Sequence, residues 1–460
     1  MKYALIVLTI GSLLSAHAAV TCYPVPDEFR SSLWEMQVDG QPNGVYSART
    51  CDKPFEKYNF GGEYAFTGFE MDAPVTLRIR SLVARDLSQA RIRPASANLA
   101  VTKVDDNTLE VKLAKPCQFS LEPNGREHPL LVFANEPETD LPDFSDPKVK
   151  AFRGGGVIRA GNNGRIELKD GETLYIAAGT VLQGGIFATG ANIRICGRGV
   201  LDSSPWEWRK GPTGNVLELW KCRDLRVEDI TIRGASHWTV VPTNCDRVKI
   251  RNLKLCGGRV QNDDGINPCN SRDVEIARCF IRTDDDCIAL KGLNTSYGNC
   301  ENISVKDCIL WCDRARVTLL GHESRAPYMR NIRYENIDVV HFQMPVFLLE
   351  PGEEMKMENV HASNIRIECD YPDRKNTIVV ARPTVNMYMR TKVPGHVSDC
   401  SFENFTITGK PATCVFVVEG KDETHLSQRV RFRNVRVFDK PLTRENGLLI
   451  GNFTKDVTNE

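Results

Sequence analysis

The sequence predicts an all-β protein: a right-handed parallel β-helix preceded by a small antiparallel β-sandwich. Three observations lead there. The pattern apolar-x-apolar-x-x-apolar-x-apolar recurs through the second half of the chain. Helical periodicity is absent from the same stretch. The segment from about residue 20 to 140 lacks the repeat but holds short alternating runs divided by turn residues.

The repeat runs Leu225/Val227/Ile230/Ile232, Val248/Ile250/Leu253/Leu255, Val274/Ile276/Cys279/Ile281, Ile303/Val305/Cys308/Leu310 and Ile332/Tyr334/Ile337/Val339. It continues as Val360/Ala362/Ile365/Ile367, Cys400/Phe402/Phe405/Ile407 and Val430/Phe432/Val435/Val437. The spacing of successive starts falls within the period of roughly 20–50 residues that marks solenoids. Each half of the unit alternates apolar and polar, as a strand with one buried face does. The two residues between the halves are often Glu-Asp, Arg-Asn or Glu-Asn. Asn and Asp tolerate the left-handed backbone of a sharp corner, so each unit reads as two short strands meeting at a bend. One such coil cannot bury its inner face alone; stacked in parallel, the coils share a core.

Before the solenoid, alternating runs such as Thr76-Leu77-Arg78-Ile79-Arg80 and Thr108-Leu109-Glu110-Val111-Lys112-Leu113 predict the sandwich. A Pro- and Asp-rich stretch at 136–146 marks the boundary, dividing the chain into residues 1–19, 20–142 and 143–460. The first nineteen residues read as a signal peptide: Lys2, an apolar run at 4–14 too short to span a bilayer, then small residues at 15–19. The mature protein is therefore expected to be secreted or periplasmic, without a membrane span, and monomeric. Lys plus Arg and Asp plus Glu both number 59, so the net charge of 0 gives no electrostatic reason to expect a nucleic-acid partner.

Sixteen cysteines in an exported chain raise the prospect of disulfides. Cys279, Cys308 and Cys400 are expected in the third inward slot of successive or nearby coils and read as small buried hydrophobes. Cys222, Cys245 and Cys300 shortly precede the first slot, where a second thiol ladder and a disulfide are both open. No metal site or other cofactor is expected, because His is scarce and no pair of Cys-x-x-Cys motifs is present.

Two acidic clusters stand out: Asn262-Asp263-Asp264-Gly265 and Asp284-Asp285-Asp286-Cys287-Ile288-Ala289. Asp264 precedes Asp285 and Asp286 by close to one coil of the repeat. Positions one coil apart in a parallel β-helix stack at about 4.8 Å, so these acids are expected on one face. Crowded carboxylates raise the pKa of at least one of them, leaving an acid to protonate a glycosidic oxygen and a base to activate water. A solvated Asp-rich corner and a calcium site remain open on spacing alone.

These motifs resemble glycoside hydrolase family 28, the polygalacturonase family. Its Asn-Thr-Asp-Gly is similar to Asn262-Asp263-Asp264-Gly265, its Gly-Asp-Asp-Cys-Ile-Ala to residues 284–289, and its Gly-His-Gly to Gly321-His322-Glu323. Gly197-Arg198-Gly199-Val200-Leu201-Asp202 and Ser236-His237-Trp238 look like its early coils. The preceding sandwich is closer to related β-helical hydrolases such as the family 49 dextranases. The resemblance, over about residues 146–440, implies an inverting hydrolase of a polysaccharide or oligosaccharide. Asp285 would be its general acid, Asp264 and Asp286 would hold and deprotonate water, and His322 would support the acid.

The departures bear on substrate. Glu323 replaces a glycine, and the Arg-x-Lys pair that meets a uronate is missing; residues 346–353 instead carry Glu350 and Glu353. Arg325 and Lys291 can compensate, so galacturonan and a neutral glycan both stay open. Asn262, Lys291, Glu323, Arg325, Glu350 and Trp238 are the candidate sugar contacts, with a corner salt bridge the alternative for Lys291 and Glu323. Trp206, Trp208 and Trp311 are weaker candidates for stacking on sugar than Trp238. A polysaccharide lyase and a non-catalytic glycan-binding solenoid are the competing functions. The lyase needs a basic residue beside the acids, the solenoid a row of exposed aromatics.

Overall fold

The computed structural model describes residues 20–51 and 62–460; the leader expected at residues 1–19 lies outside them. The sandwich is two sheets. One orders Gln41–Asn43, Trp34–Val38, Val75–Ser81, Thr108–Leu113 and Ala100–Asp105, all antiparallel. The other orders Val20–Cys22, Glu63–Met71, Leu130–Asn135, Gln118–Glu122 and Arg91–Arg93, with Tyr46–Arg49 also on Glu63–Met71. It is antiparallel except where Leu130–Asn135 runs parallel to Glu63–Met71. Alternation places Leu77, Ile79 and Val111 of the first sheet against Phe69, Leu121 and Val132 of the second.

The parallel strands begin at Val149–Phe152 and continue to Thr454–Asn459. All eight repeat units bury their four inward residues. They stack in register: Val274 on Ile303, Ile303 on Ile332, Ile332 on Val360, Val360 on Cys400 and Cys400 on Val430. Cys400 thus fills a first slot, where Cys279 and Cys308 fill third slots. The corner between the two half-strands is left-handed in every unit, with φ between 49° and 72° at Asp229, Asn252, Arg278, Asp307, Asn336, Asn364, Asn404 and Asn434. A second left-handed position, unforeseen from the sequence, lies one residue before the first slot, as at Asn302, Asn331 and Asn359. There the amide of Asn331 donates to Asn302 at 2.9 Å and that of Asn359 to Asn331 at 2.6 Å, an outward ladder along the solenoid.

A third face closes each coil, first through Arg165–Leu168, Gly185–Ala188, Leu217–Trp220 and Val240–Thr243, later through Ile288–Gly292, Thr318–Ser324, Phe347–Glu350 and Lys375–Ala381. Between these two ladders, residues 266–269 are held by isolated parallel bridges, Val240 to Ile266 to Ile288 and Thr243 to Cys269 to Lys291. The long gap between Val360 and Cys400 is absorbed after Lys375–Ala381 by an irregular loop at 382–395.

The sandwich packs directly on the solenoid. Tyr64, Phe66 and Phe133 share a buried cluster with Val200, Phe280 and Trp311, and the Tyr64 hydroxyl donates to the Gly257 carbonyl at 2.7 Å. Trp311 is fully buried in this junction, so it is no platform for sugar. All sixteen cysteines are free thiols. Cys279 and Cys308 stack, with the Cys279 N–H 3.5 Å from the Cys308 sulfur, and Cys222 and Cys245 do the same at 3.3 Å.

Candidate active site

The weakly bridged strand at 266–269 carries Asp264 at its entry. Its register aligns Ile266 with Ile288, so Asp264 lies over Asp286, and the Gly265 N–H donates to the Asp286 carbonyl at 2.8 Å. Gly265 is required there: a Cβ would sit 2.4 Å from the Cys287 carbonyl oxygen. Asp263 points the other way. Fully buried, it accepts the N–H groups of Asp284 at 2.7 Å and Asp285 at 3.3 Å, and that of Gly258, fixing the turn that presents Asp285.

The three aspartates have different partners. Asp264 Oδ2 accepts from Lys291 Nζ at 3.0 Å and from the Asn267 amide at 2.9 Å; its Oδ1 is buried and accepts no hydrogen bond among the described residues. Asp286 accepts the Arg316 backbone N–H at 3.0 Å and its guanidinium at 2.9 Å. Among the described residues, Asp285 accepts the Asn262 amide at 3.1 Å and the Asp286 N–H at 3.0 Å, and no cation. The Arg314 guanidinium stands 3.9 Å from it and binds Asp284 at 2.6 Å instead. Asp285 is also the most open of the three, 14% exposed against 2% for Asp264 and 1% for Asp286.

Two of the three carboxyls have a hydrogen-bonded cation, Asp285 has the Arg314 guanidinium at 3.9 Å, and the neighbouring buried Asp263 is held by backbone N–H groups. Burial, then Asp264, pushes the Asp285 carboxyl above its ordinary value. Burial pushes Asp286 up to about 8, with Asp285 and Asp264 adding to it and Arg316 opposing it. Such groups titrate as a set, and the set retains a proton that a lone aspartate would lose. Asp285 is the one of the three with no cation in hydrogen-bond reach among the described residues. Burial alone would lower the Lys291 pKa, but Asp264 and Glu323 reverse this and hold the ammonium firmly charged.

Lys291 extends the site. Its ammonium lies 3.9 Å from the Trp238 ring centroid and 3.7 Å from Glu323 Oε2. The strand then bulges, Gly292 pairing with Ser324 while Leu290 pairs with Leu320, and His322 takes a left-handed φ of 56° inside the bulge. His322 Nδ1 lies 3.1 Å from Glu350 Oε2, whose other oxygen accepts Arg382 at 2.8 and 3.0 Å. Burial alone would raise the Glu350 carboxyl, but His322 and Arg382 outweigh it and hold it low. Asn386 and Tyr388 of the long loop flank His322, with the Tyr388 ring 5.8 Å away.

The structure thus gathers Asn262, Asp264, Asp285, Asp286, Lys291, Glu323 and Trp238, then continues through His322 to Glu350. Arg325 is turned aside: it donates to the carbonyls of Leu293 and Tyr388, each at 2.9 Å, and so ties the loop down. Sequence reasoning missed Arg316, Arg382, and Arg209, which donates to Asn262 at 3.0 Å. Arg316 had a signal, since it follows Asp286 by one coil of the repeat.

Residues 185–311 match the family described as Glycosyl hydrolases family 28, a span that holds all three aspartates. The family 28 resemblance holds over these central coils. A polygalacturonase of Chamaecyparis obtusa is 26% identical over 207 residues, covering 35% of this chain and 39% of its own. A probable polygalacturonase of Arabidopsis thaliana is 34% identical over 131 residues, 28% of this chain and 27% of the relative. The chain spans about a quarter to two fifths of the length of the curated relatives it matches. Across its whole length it shares the fold of Dex49A from Penicillium minioluteum, with a TM-score of 0.62 over 95% of this chain and 96% of the other at 13% identity.

Proposed function

We propose that the protein is an inverting glycoside hydrolase acting outside the cytoplasm on a polysaccharide. The observation that carries this is the unequal partnering of three stacked carboxyls: two hydrogen-bonded to cations, and Asp285 the most open, with its nearest guanidinium at 3.9 Å. Asp285 donates its proton to the glycosidic oxygen as the bond to the anomeric carbon breaks. Asp264, whose Oδ1 accepts no hydrogen bond among the described residues, and Asp286 orient a water molecule and take its proton as it attacks the opposite face. Lys291 holds the Asp264 carboxylate by a hydrogen bond, and Arg316 opposes the rise at Asp286. Asn262 holds Asp285, and Trp238 offers a half-buried ring beside the reacting sugar. His322 is a positioning residue, tethered by Glu350. The composition of residues 1–19 supports export.

The charges of the site favour a neutral sugar. Lys291, Arg316 and Arg382 are each paired to a carboxylate, and Glu323 and Glu350 stand where a uronate would be repelled. The polygalacturonase relatives make galacturonan the comparison substrate. The same pairing counts against a lyase, which needs a cationic side chain free to serve as base. The test is a panel of dextran, other neutral glucans and polygalacturonate, with product anomers followed by proton NMR. The expected result is a neutral glycan cut to a product that first appears with inverted configuration. First products of retained configuration, or unsaturated uronides, overturn the mechanism; cleavage of polygalacturonate alone overturns the preference.

A further inference from the structure

The scarcity of histidine predicts no metal site, yet a solenoid can assemble ligands that are far apart in sequence. Glu354, His396 and His425 open three successive coils. Register places them together: Lys356 pairs with His396, and Val397 with Ser427. Their ligand atoms all lie within 4.8 Å of one another.

Glu354 Oε2 is 3.2 Å from His396 Nε2, and Oε1 is 3.5 Å from His425 Nε2. Tetrahedral zinc with bonds of ~2.0–2.1 Å sets its ligand atoms roughly 3.3–3.4 Å apart, so these spacings straddle the required edge. The rings stand 5.0 Å apart and are inclined by 31°. His425 is further oriented: its Nδ1 lies 2.8 and 2.9 Å from the two oxygens of Asp422. A carboxylate on Nδ1 places the N–H there and leaves the Nε2 lone pair facing Glu354, the arrangement in which metal-bound histidines are usually held. Glu354 is 62% exposed and His396 33%, so an ion can enter and keep water on its open side.

We propose that Glu354, His396 and His425 bind one borderline divalent cation of the zinc class, with Asp422 orienting His425. The site is separate from the three aspartates. It ties three coils together at the root of the loop at 382–395, where the Glu353 and Glu354 N–H groups donate to the carbonyls of Val393 and Pro394. That loop carries Asn386 and Tyr388 against His322. The assignment does not depend on the hydrolase reading, because its readouts are binding and stability.

The test uses the whole protein without a polyhistidine tag, stripped with chelator, and Zn2+ as the probe in calorimetric titration. The expected isotherm saturates at one ion per chain, and Zn2+ raises Tm by about 2 °C or more. Glu354→Gln and the double variant His396→Ala/His425→Ala are expected to lose both effects, and Asp422→Asn to weaken binding by roughly 10–100-fold. Ca2+, which prefers an all-oxygen shell, is expected not to compete. A flat wild-type titration overturns the proposal, as does competition by Ca2+. Zn2+ binding by Glu354→Gln equal to wild type also overturns it, and since Glu354 is a surface side chain that variant answers even if the double variant fails to fold.

Discussion

Two stretches of this solenoid are built to opposite rules. Tyr328–His341, Lys356–Cys369 and His396–Gly409 are three long strands that pair almost continuously, with apolar side chains inside and Asn ladders outside. One to two coils earlier, residues 266–269 keep only isolated bridges and the strand at Gly321–Glu323 bulges. There the polar groups turn inward: Asp263, Asp264, Asp286 and Lys291 are all buried. Burying charge is costly unless each group finds a partner. The partners are present in the form of Lys291, Arg316 and backbone N–H groups. The regular coils supply rigidity; the irregular ones use it to hold an arrangement that does not favour its own folding.

The largest expected effect comes from Asp285, the most open carboxyl of the site. Asp285→Asn keeps the shape and the Asn262 contact but cannot donate a proton, and activity is expected to fall more than about a thousandfold. The same variant tests stability. A carboxyl whose pKa is raised by folding binds its proton more tightly in the native chain than in the unfolded one. Its penalty is absent below the ordinary value of 3.8 and grows as pH rises toward about 8, the value to which Asp286 is pushed. Wild-type Tm should therefore drop between those limits, and the drop should be shallower in Asp285→Asn, which carries one carboxylate fewer. The wild-type rate should likewise fall on the alkaline side as the set loses its proton. Equal slopes in the two proteins, measured by thermal melts across pH, would remove the shared-proton account.

The regular coils predict the reverse pattern. Ile337 is fully buried and stacks in register on Ile365. Ile337→Ala is expected to lose about 2–5 kcal/mol of stability through lost contact and residual cavity. Turnover by the folded fraction should stay within about twofold of wild type, since no site residue is touched. Denaturant melts and initial rates at a temperature where both proteins are folded check it. A large loss of turnover would mean that the two stretches are not separable.

How much of this was legible follows the same division. The repeat units, their buried slots and the Asn and Asp corners could be read from Leu225 to Val437, because a two-residue period and a left-handed preference are written locally. The stacking of Asp264 with Asp286 was legible too, since one coil converts a sequence offset into a neighbour. What could not be read was partnering across irregular backbone. Arg325 looked like a sugar contact until the bulge and the long loop placed two carbonyls around it. Trp311 looked available until the sandwich covered it. Glu354, His396 and His425 were invisible because the gaps between them include the loop at 382–395, which breaks the period.

The smallest effect concerns the corners themselves. Asn404 is exposed, has φ of 55°, donates to Asn364 at 3.2 Å and accepts from Asn434 at 2.8 Å. Two explanations for asparagine here make different forecasts. If the left-handed backbone matters most, Asn404→Ala costs about 1–2 kcal/mol, and Asn404→Gly, which adopts that backbone freely, costs clearly less. If the side-chain ladder matters most, both variants lose the same two hydrogen bonds and fall by similar amounts, each about 0.5–1.5 kcal/mol at an exposed position. Arg278 takes the same left-handed corner with no side-chain amide to add to a ladder, which favours the first. Paired melts of the two variants should therefore rank wild type above Gly and Gly above Ala.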